Sequence, residues 1–230
     1  MGHQNVEPQA SEAAPETRGR TIRYWARFYD AFSWLISLGK APAIRRTAIE
    51  VAGVVPGDKV LDVGCGTGSL AIAAKGKAGP DGEVHGIDAA PEMIEVARQK
   101  AARKGVDVGF HVGLIEEIPF PDGHFDLALN TFVLHHLPHD LKRKGFAEIR
   151  RVLKPGGRFV AADLAPRSDS LIGHILSAVI GHHMIHTDVA ELTAMMEDAG
   201  FAEVEEVKTK HTQLLFVRAE AAMIVRTSDA

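Results

Sequence analysis

The chain has 230 residues, 46% of them hydrophobic, with 26 basic and 30 acidic side chains giving a formal net charge of −4. That suffices for one sizeable core, and the well-mixed charges leave no basic stripe for a phosphate backbone, so nucleic acid is not an expected partner. The single cysteine, Cys65, excludes an intrachain disulfide and suits a reducing cytoplasm, the expected location.

Residues 1–20 are rich in Glu, Gln, Pro and Ala and lack an apolar signal core, so they are expected to form a disordered tail. No apolar run reaches membrane-spanning length, while peripheral contact with a membrane surface stays open. From 21 to 53 the pattern is helical: Tyr24, Trp25, Phe28, Phe32 and Leu35 recur at three- and four-residue steps, and a second helix follows Pro42. The texture then alternates. Strands are predicted over 59–63, 83–87, 108–112, 125–129 and 158–162, and helices over 69–78, 91–104 and 141–153. The turn Lys154-Pro155-Gly156-Gly157 introduces the fifth strand. An apolar helix over 168–181 breaks the rhythm, and a helix over 188–199 stops at Gly200. Runs at 202–207 and 212–218 read as an antiparallel hairpin closing the sheet.

Strands alternating with helices imply right-handed parallel β-α units. The expected fold is α/β and Rossmann-like: a mostly parallel, seven-stranded sheet with helices on both faces and a small helical cap. One domain over 21–220 is expected, with the cap at 168–187 and a short tail at 221–230.

The strongest motif is Val60-Leu61-Asp62-Val63-Gly64-Cys65-Gly66-Thr67-Gly68. Glycines after a first strand allow a tight turn and close approach of a ligand. A dinucleotide fingerprint would carry its third glycine where Ser69 stands. Asp62 two residues before the loop is unfavourable beside a pyrophosphate and favourable beside a ligand bearing an ammonium and a sulfonium. Asp88 follows Gly68 by twenty residues, at the end of the second strand, where a carboxylate can accept both ribose hydroxyls. Together these point to S-adenosylmethionine. Asp62 can equally cap a helix or turn, and Asp88 can cap the helix that starts at Pro91.

From about Tyr29 to Phe201 the sequence resembles class I methyltransferases, within them the ubiquinone/menaquinone-biosynthesis type. The stretches that carry it are Phe28-Tyr29-Asp30 with Ser37-Leu38-Gly39, Ile118 to Asp122 with Phe125-Asp126, Arg151 to Arg158, and Ala194-Met195-Met196 with Asp198 to Phe201. The resemblance implies that Asp62, Gly64, Gly66 and Gly68 surround the methionine part of the cofactor, with Cys65 a small buried hydrophobe inside the loop. It implies that Asp88 holds the ribose and that Ala89 and Met93 lie near the adenine. Asn130 and Thr131 would pass the methionine end through backbone contacts, and Tyr24 or Tyr29 would reach its carboxylate or simply pack. Where the family carries an Asp after Gly113 this chain has Leu114, so Leu114 and Ile115 are expected to meet the adenine through backbone and apolar contacts.

Methyl transfer from a sulfonium needs an aligned nucleophile and exclusion of water, with a base only when the nucleophile arrives protonated. His135 and His136, after the fourth strand, are candidate catalytic bases, and His182 and His186 are further catalytic candidates that can line a polar wall of the substrate pocket or stand at a solvated helix end. The i,i+4 spacing of the last two can serve a metal, but no acidic third ligand accompanies them, so no metal is expected. The cap residues Ile175 and Val179 read as core or as a lid over an apolar acceptor. The expected activity is methyl transfer to a small, largely apolar acceptor such as a quinol or phenol. The alternatives are an N- or S-methyltransferase of a lipid, amine or thiol, and a cofactor-binding module without turnover. The oligomeric state is left open.

Overall fold

The computed structural model describes residues 15–19, 26–164 and 188–223. The expected cap at 168–187, together with Tyr24, His182 and His186, lies outside the described residues. A 3-10 turn at Ala26–Phe28 leads into α1 (Tyr29–Ile36), and α2 (Ala41–Ala52) follows with Pro42 in its first turn. Then come β1 (Lys59–Val63), α3 (Ser69–Ala78), β2 (Glu83–Asp88), α4 (Pro91–Lys104), β3 (Gly109–Val112) and β4 (Phe125–Thr131). A 3-10 turn at Leu134–His136 precedes α5 (His139–Val152) and β5 (Leu153–Leu164). After 188 the chain forms α6 (Val189–Asp198), β6 (Phe201–Glu206) and β7 (Leu214–Ala221).

The strands form one seven-stranded sheet in the order β3-β2-β1-β4-β5-β7-β6. Pairing is parallel from β3 through β5, while β7 runs antiparallel to both β5 and β6. This is the Rossmann-like α/β fold that the alternation predicts. The fifth strand begins earlier than expected because Leu153 already pairs with Phe125, and a register shift between Phe125 and Leu127 absorbs the turn residues.

Side chains alternate between two cores, one on each face of the sheet. Leu61, Val63, Phe125, Phe146, Ile149 and Phe159 fill one against α5 and α6. Val60, Leu127, Leu129, Leu70 and Ile94 fill the other against α2, α3 and α4. Phe146 and Phe159 are fully buried, and truncating either to Ala costs about 3–5 kcal/mol. Such cores make the sheet a rigid platform. Its strand order reverses between β1 and β4, and a crevice opens there beyond the carboxyl ends of the strands.

Candidate functional site

The turn after β1 is tied to β2 by the Gly64 and Cys65 N–H groups, which both donate to the Ile87 carbonyl at 2.8 and 2.9 Å. Gly64 has φ 73°, and a Cβ there would stand 2.3 Å from Val133 Cγ2. Only glycine lets the turn after β1 meet the segment after β4 so closely. Gly68, also at φ 73°, would place a Cβ 2.5 Å from Phe110 Cζ and 2.9 Å from Ala97 Cβ, so its bareness lets α3 start against α4 and β3.

Asp88 ends β2. Its Oδ2 accepts the Gly66 N–H and its Oδ1 the Ala90 N–H, both at 2.9 Å. Burial raises the Asp88 pKa, and those two N–H groups pull it back down.

Tyr29, Gly64, Gly66, Asp88, Ala89, Met93, Leu114, Ile115 and Thr131, all expected cofactor residues, line one cavity at the strand ends. Tyr29 stands there on the first turn of α1; burial raises its pKa, and the Asp88 and Asp30 carboxylates raise it further. Asp62, Cys65, Gly68 and Asn130 are placed around this cavity instead of on its wall. Asp62 is fully buried beneath the turn, where its Oδ2 accepts the Ala71 N–H of α3 at 3.1 Å. Its Oδ1 has no partner among the described residues. Burial raises the Asp62 pKa to about 7; the Ala71 bond lowers it and Asp88 raises it. The Cys65 thiol packs against Gly86, where a Cβ would be 2.9 Å from Sγ, and burial pushes its pKa up. The Asn130 Nδ2 donates to the Val63 carbonyl at 2.9 Å, joining β4 to β1 below the cavity, and its buried Oδ1 is unpartnered among the described residues.

His136 lines the cavity, and its ring lies 3.9 Å, centroid to centroid, from that of His135. His135 stands just behind. Its Nδ1 lies 2.5 Å from Asp163 Oδ1, and its backbone N–H donates to Asp163 Oδ2 at 3.1 Å. Asp163, at the end of β5, is only 6% exposed. Lys142 of α5 is buried as well; burial lowers its pKa, and the Asp163 and Glu191 carboxylates raise it.

Three wall features escape the sequence expectations. Glu116 lines the cavity and accepts the Thr17 hydroxyl at 2.8 Å. An acid three residues after Gly113, where the family places one directly after, was the available signal. Thr17 and Gly19, from the stretch expected as a tail, lie against the same cavity, and Arg18 pairs with Asp140. Phe132 is a non-glycine residue at φ 59°, with its N–H held by the Ala162 carbonyl at 2.9 Å. Left-handed backbone of this kind is strained for an aromatic residue and concentrates at functional sites. Among the described residues, no His, Cys, Asp or Glu group is arranged to hold a metal.

Bare glycines, a ribose-ready carboxylate and an apolar slot formed by Met93, Leu114 and Ile115 fit a nucleoside with an amino-acid tail. The methyltransferase-domain family matches residues 60–157. The ubiquinone/menaquinone biosynthesis C-methyltransferase UbiE of Cupriavidus necator is 34% identical over 198 residues, 77% of this chain and 81% of that protein. The protein of the same description from Pseudomonas paraeruginosa is 33% identical over 228 residues, 89% of this chain and 87% of that one. A SAM-dependent methyltransferase structure from Aquifex aeolicus superposes with a TM-score of 0.65 at 25% identity, over 77% of this chain and 89% of that one. The chain belongs to the class I S-adenosylmethionine-dependent methyltransferases, in the group of the ubiquinone/menaquinone biosynthesis C-methyltransferases, and S-adenosylmethionine is its cofactor.

Proposed function

We propose that this enzyme methylates a ring carbon of a reduced quinone or a similar phenol-like acceptor. The supporting observation is His136 on the cavity wall, backed by His135 in the grip of Asp163. The relatives' description as C-methyltransferases of quinone biosynthesis points the same way.

When bound, S-adenosylmethionine supplies an electrophilic methyl group on a sulfonium. Asp88 accepts from the ribose hydroxyls, and Glu116 accepts from the adenine amino group, the task that Leu114 cannot perform. Met93, Leu114 and Ile115 enclose the adenine, while Tyr29 and the backbone at Gly64, Gly66 and Thr131 hold the methionine end. Asp62 acts from beneath the turn, where a positively charged ligand favours its ionised form. His136 would take the acceptor's hydroxyl proton, leaving the adjacent ring carbon electron-rich towards the methyl group. As the sulfonium departs as a neutral thioether, the methylated carbon would lose its ring hydrogen as a proton to water, and His136 would return its proton to the oxygen. Asp163 fixes the His135 ring by accepting its Nδ1–H, and His135 in turn supports His136. Phe132, Val133 and Leu137 give the acceptor end an apolar wall that excludes water. A base placed in this way contributes typically ~10²–10⁴-fold.

The test is product analysis. Purified enzyme is incubated with S-adenosylmethionine and a panel of naphthoquinols, benzoquinols, amines and thiols, and products are located by mass and by NMR. A ring C-methyl product is expected, with turnover lost by roughly 10²–10⁴-fold in His136→Ala. An O-, N- or S-methyl product, or an active His136→Ala enzyme, contradicts the proposal.

A further inference from the structure

We infer that α1 and the basic cavity beside it form a docking surface for an anionic phospholipid bilayer. The inference concerns where the enzyme works and does not depend on which acceptor atom is methylated.

Helix α1 is divided by function along its length. Tyr29 faces the cofactor cavity, and Asp30 pairs with Lys100 of α4 at 2.5 Å, so this side of the helix is anchored. The rest of the helix and the turn after it present apolar residues to solvent: Phe32 is 48% exposed, Trp34 58%, Leu35 65% and Leu38, in the turn, 65%. Among the described residues nothing covers them. Phe32, Trp34 and Leu35 on the helix and Leu38 in the turn after it place four exposed large apolar side chains within seven residues, a denser cluster than scattered surface leucines.

Charge beside the patch identifies the occupant. Trp34 lines a second cavity with Arg45, Lys100, Arg103 and Lys104, and among the described residues the one carboxylate lining it with these four cations is Asp30. Lys100 already neutralises Asp30, which leaves Arg45, Arg103 and Lys104 as surplus positive charge on a chain whose net charge is −4. An apolar helix face flanked by cations, with a tryptophan between, is the arrangement that lies in a lipid interface. A neutral protein partner would gain nothing from the basic cavity, whereas phospholipid phosphates match it and acyl chains match the patch.

The experiment is co-sedimentation of the full chain with phosphatidylcholine vesicles and with vesicles of equal parts phosphatidylcholine and phosphatidylglycerol. Binding to the anionic vesicles alone is expected, weakened by salt. Arg103→Ala combined with Lys104→Ala is expected to lower the partition coefficient roughly thirty-fold, and Leu35→Ser to lower it at low and high salt alike. Both variants should keep wild-type cofactor affinity, which certifies the fold. The inference is overturned if the protein stays in the supernatant with anionic vesicles, if neither variant changes binding, or if α1 proves to be buried in a dimer.

Discussion

A single methyl group decides what can stand at Gly64. The backbone there is left-handed, and a Cβ would overlap Val133 at 2.3 Å. Gly105 is also left-handed, at φ 62°, but has open space around it. Gly105→Ala is therefore expected to cost only the backbone penalty of about 1–2 kcal/mol. Gly64→Ala adds overpacking and is expected to cost about 3 kcal/mol or more. Urea unfolding of the two variants separates these terms; equal losses would mean the Val133 contact yields freely. At Glu116, removal of a charged acceptor from the adenine amino group is worth about 1.5–3 kcal/mol. Glu116→Ala should thus weaken S-adenosylhomocysteine binding by roughly tenfold or more in calorimetry, and unchanged affinity would return the adenine to backbone contacts alone. The sequence named the loop but not the direction of each side chain within it. Because strand residues alternate, Leu61 and Val63 face one core and Asp62 the other, which sends its carboxylate under α3. Glu116 stayed hidden because it enters the cavity wall three residues after Gly113, an offset the sequence reading did not look for.

At the scale of elements, the β-α alternation was legible because the central strands are short apolar runs and several helices carry their own stop, such as Gly53 and Gly105 in left-handed C-caps. Contacts between distant elements leave no such local mark. His135 and Asp163 are 28 residues apart, and only the pairing of β4 with β5 brings the turn after one beside the end of the other. The sequence could offer His135 and His136 as candidates without revealing that His136 faces the cavity and that Asp163 holds His135. If Asp163 positions this pair, Asp163→Ala lowers kcat by roughly tenfold or more, while S-adenosylhomocysteine affinity stays at the wild-type value. Asp163→Glu should recover part of the loss. A fall in melting temperature with kcat intact would reduce Asp163 to a structural tie.

For the whole molecule, the sheet edge carries a chain of titratable groups that sets its acid tolerance. Glu83 Oε1 lies 3.0 Å from His85 Nε2 and 2.9 Å from His124 Nε2, and His85 Nδ1 lies 3.1 Å from His111 Nε2. With both imidazoles donating to Glu83, His85 Nδ1 is bare and accepts from His111, so the chain is satisfied with neutral rings. Burial, together with His85 and Arg98, lowers the His111 pKa to about 4, and burial lowers that of His85. A folded-state value below the unfolded 6.5 means that His111 stabilises the fold above about 6.5 and loses that contribution as pH falls through about 4, and His85 acts in the same direction. Asp62 acts in the opposite sense: its proton favours the fold below the ordinary 3.8, and this is lost as pH rises through about 7. His111→Phe removes only the first effect. Its stability curve should be flatter than the wild type's between pH 6.5 and 4, whereas parallel curves in that window would show that His111 is not the sensor.

The proposed cofactor placement and the proposed chemistry both rest on the cavity at the strand ends, and Asp88 is the lining residue assigned to the ribose. Isothermal titration of the purified chain with S-adenosylhomocysteine should show one saturable site, weakened by at least roughly tenfold in Asp88→Asn, with no binding of NAD. No heat from the nucleoside, or equal affinity in the two proteins, would contradict the placement of the cofactor in this cavity.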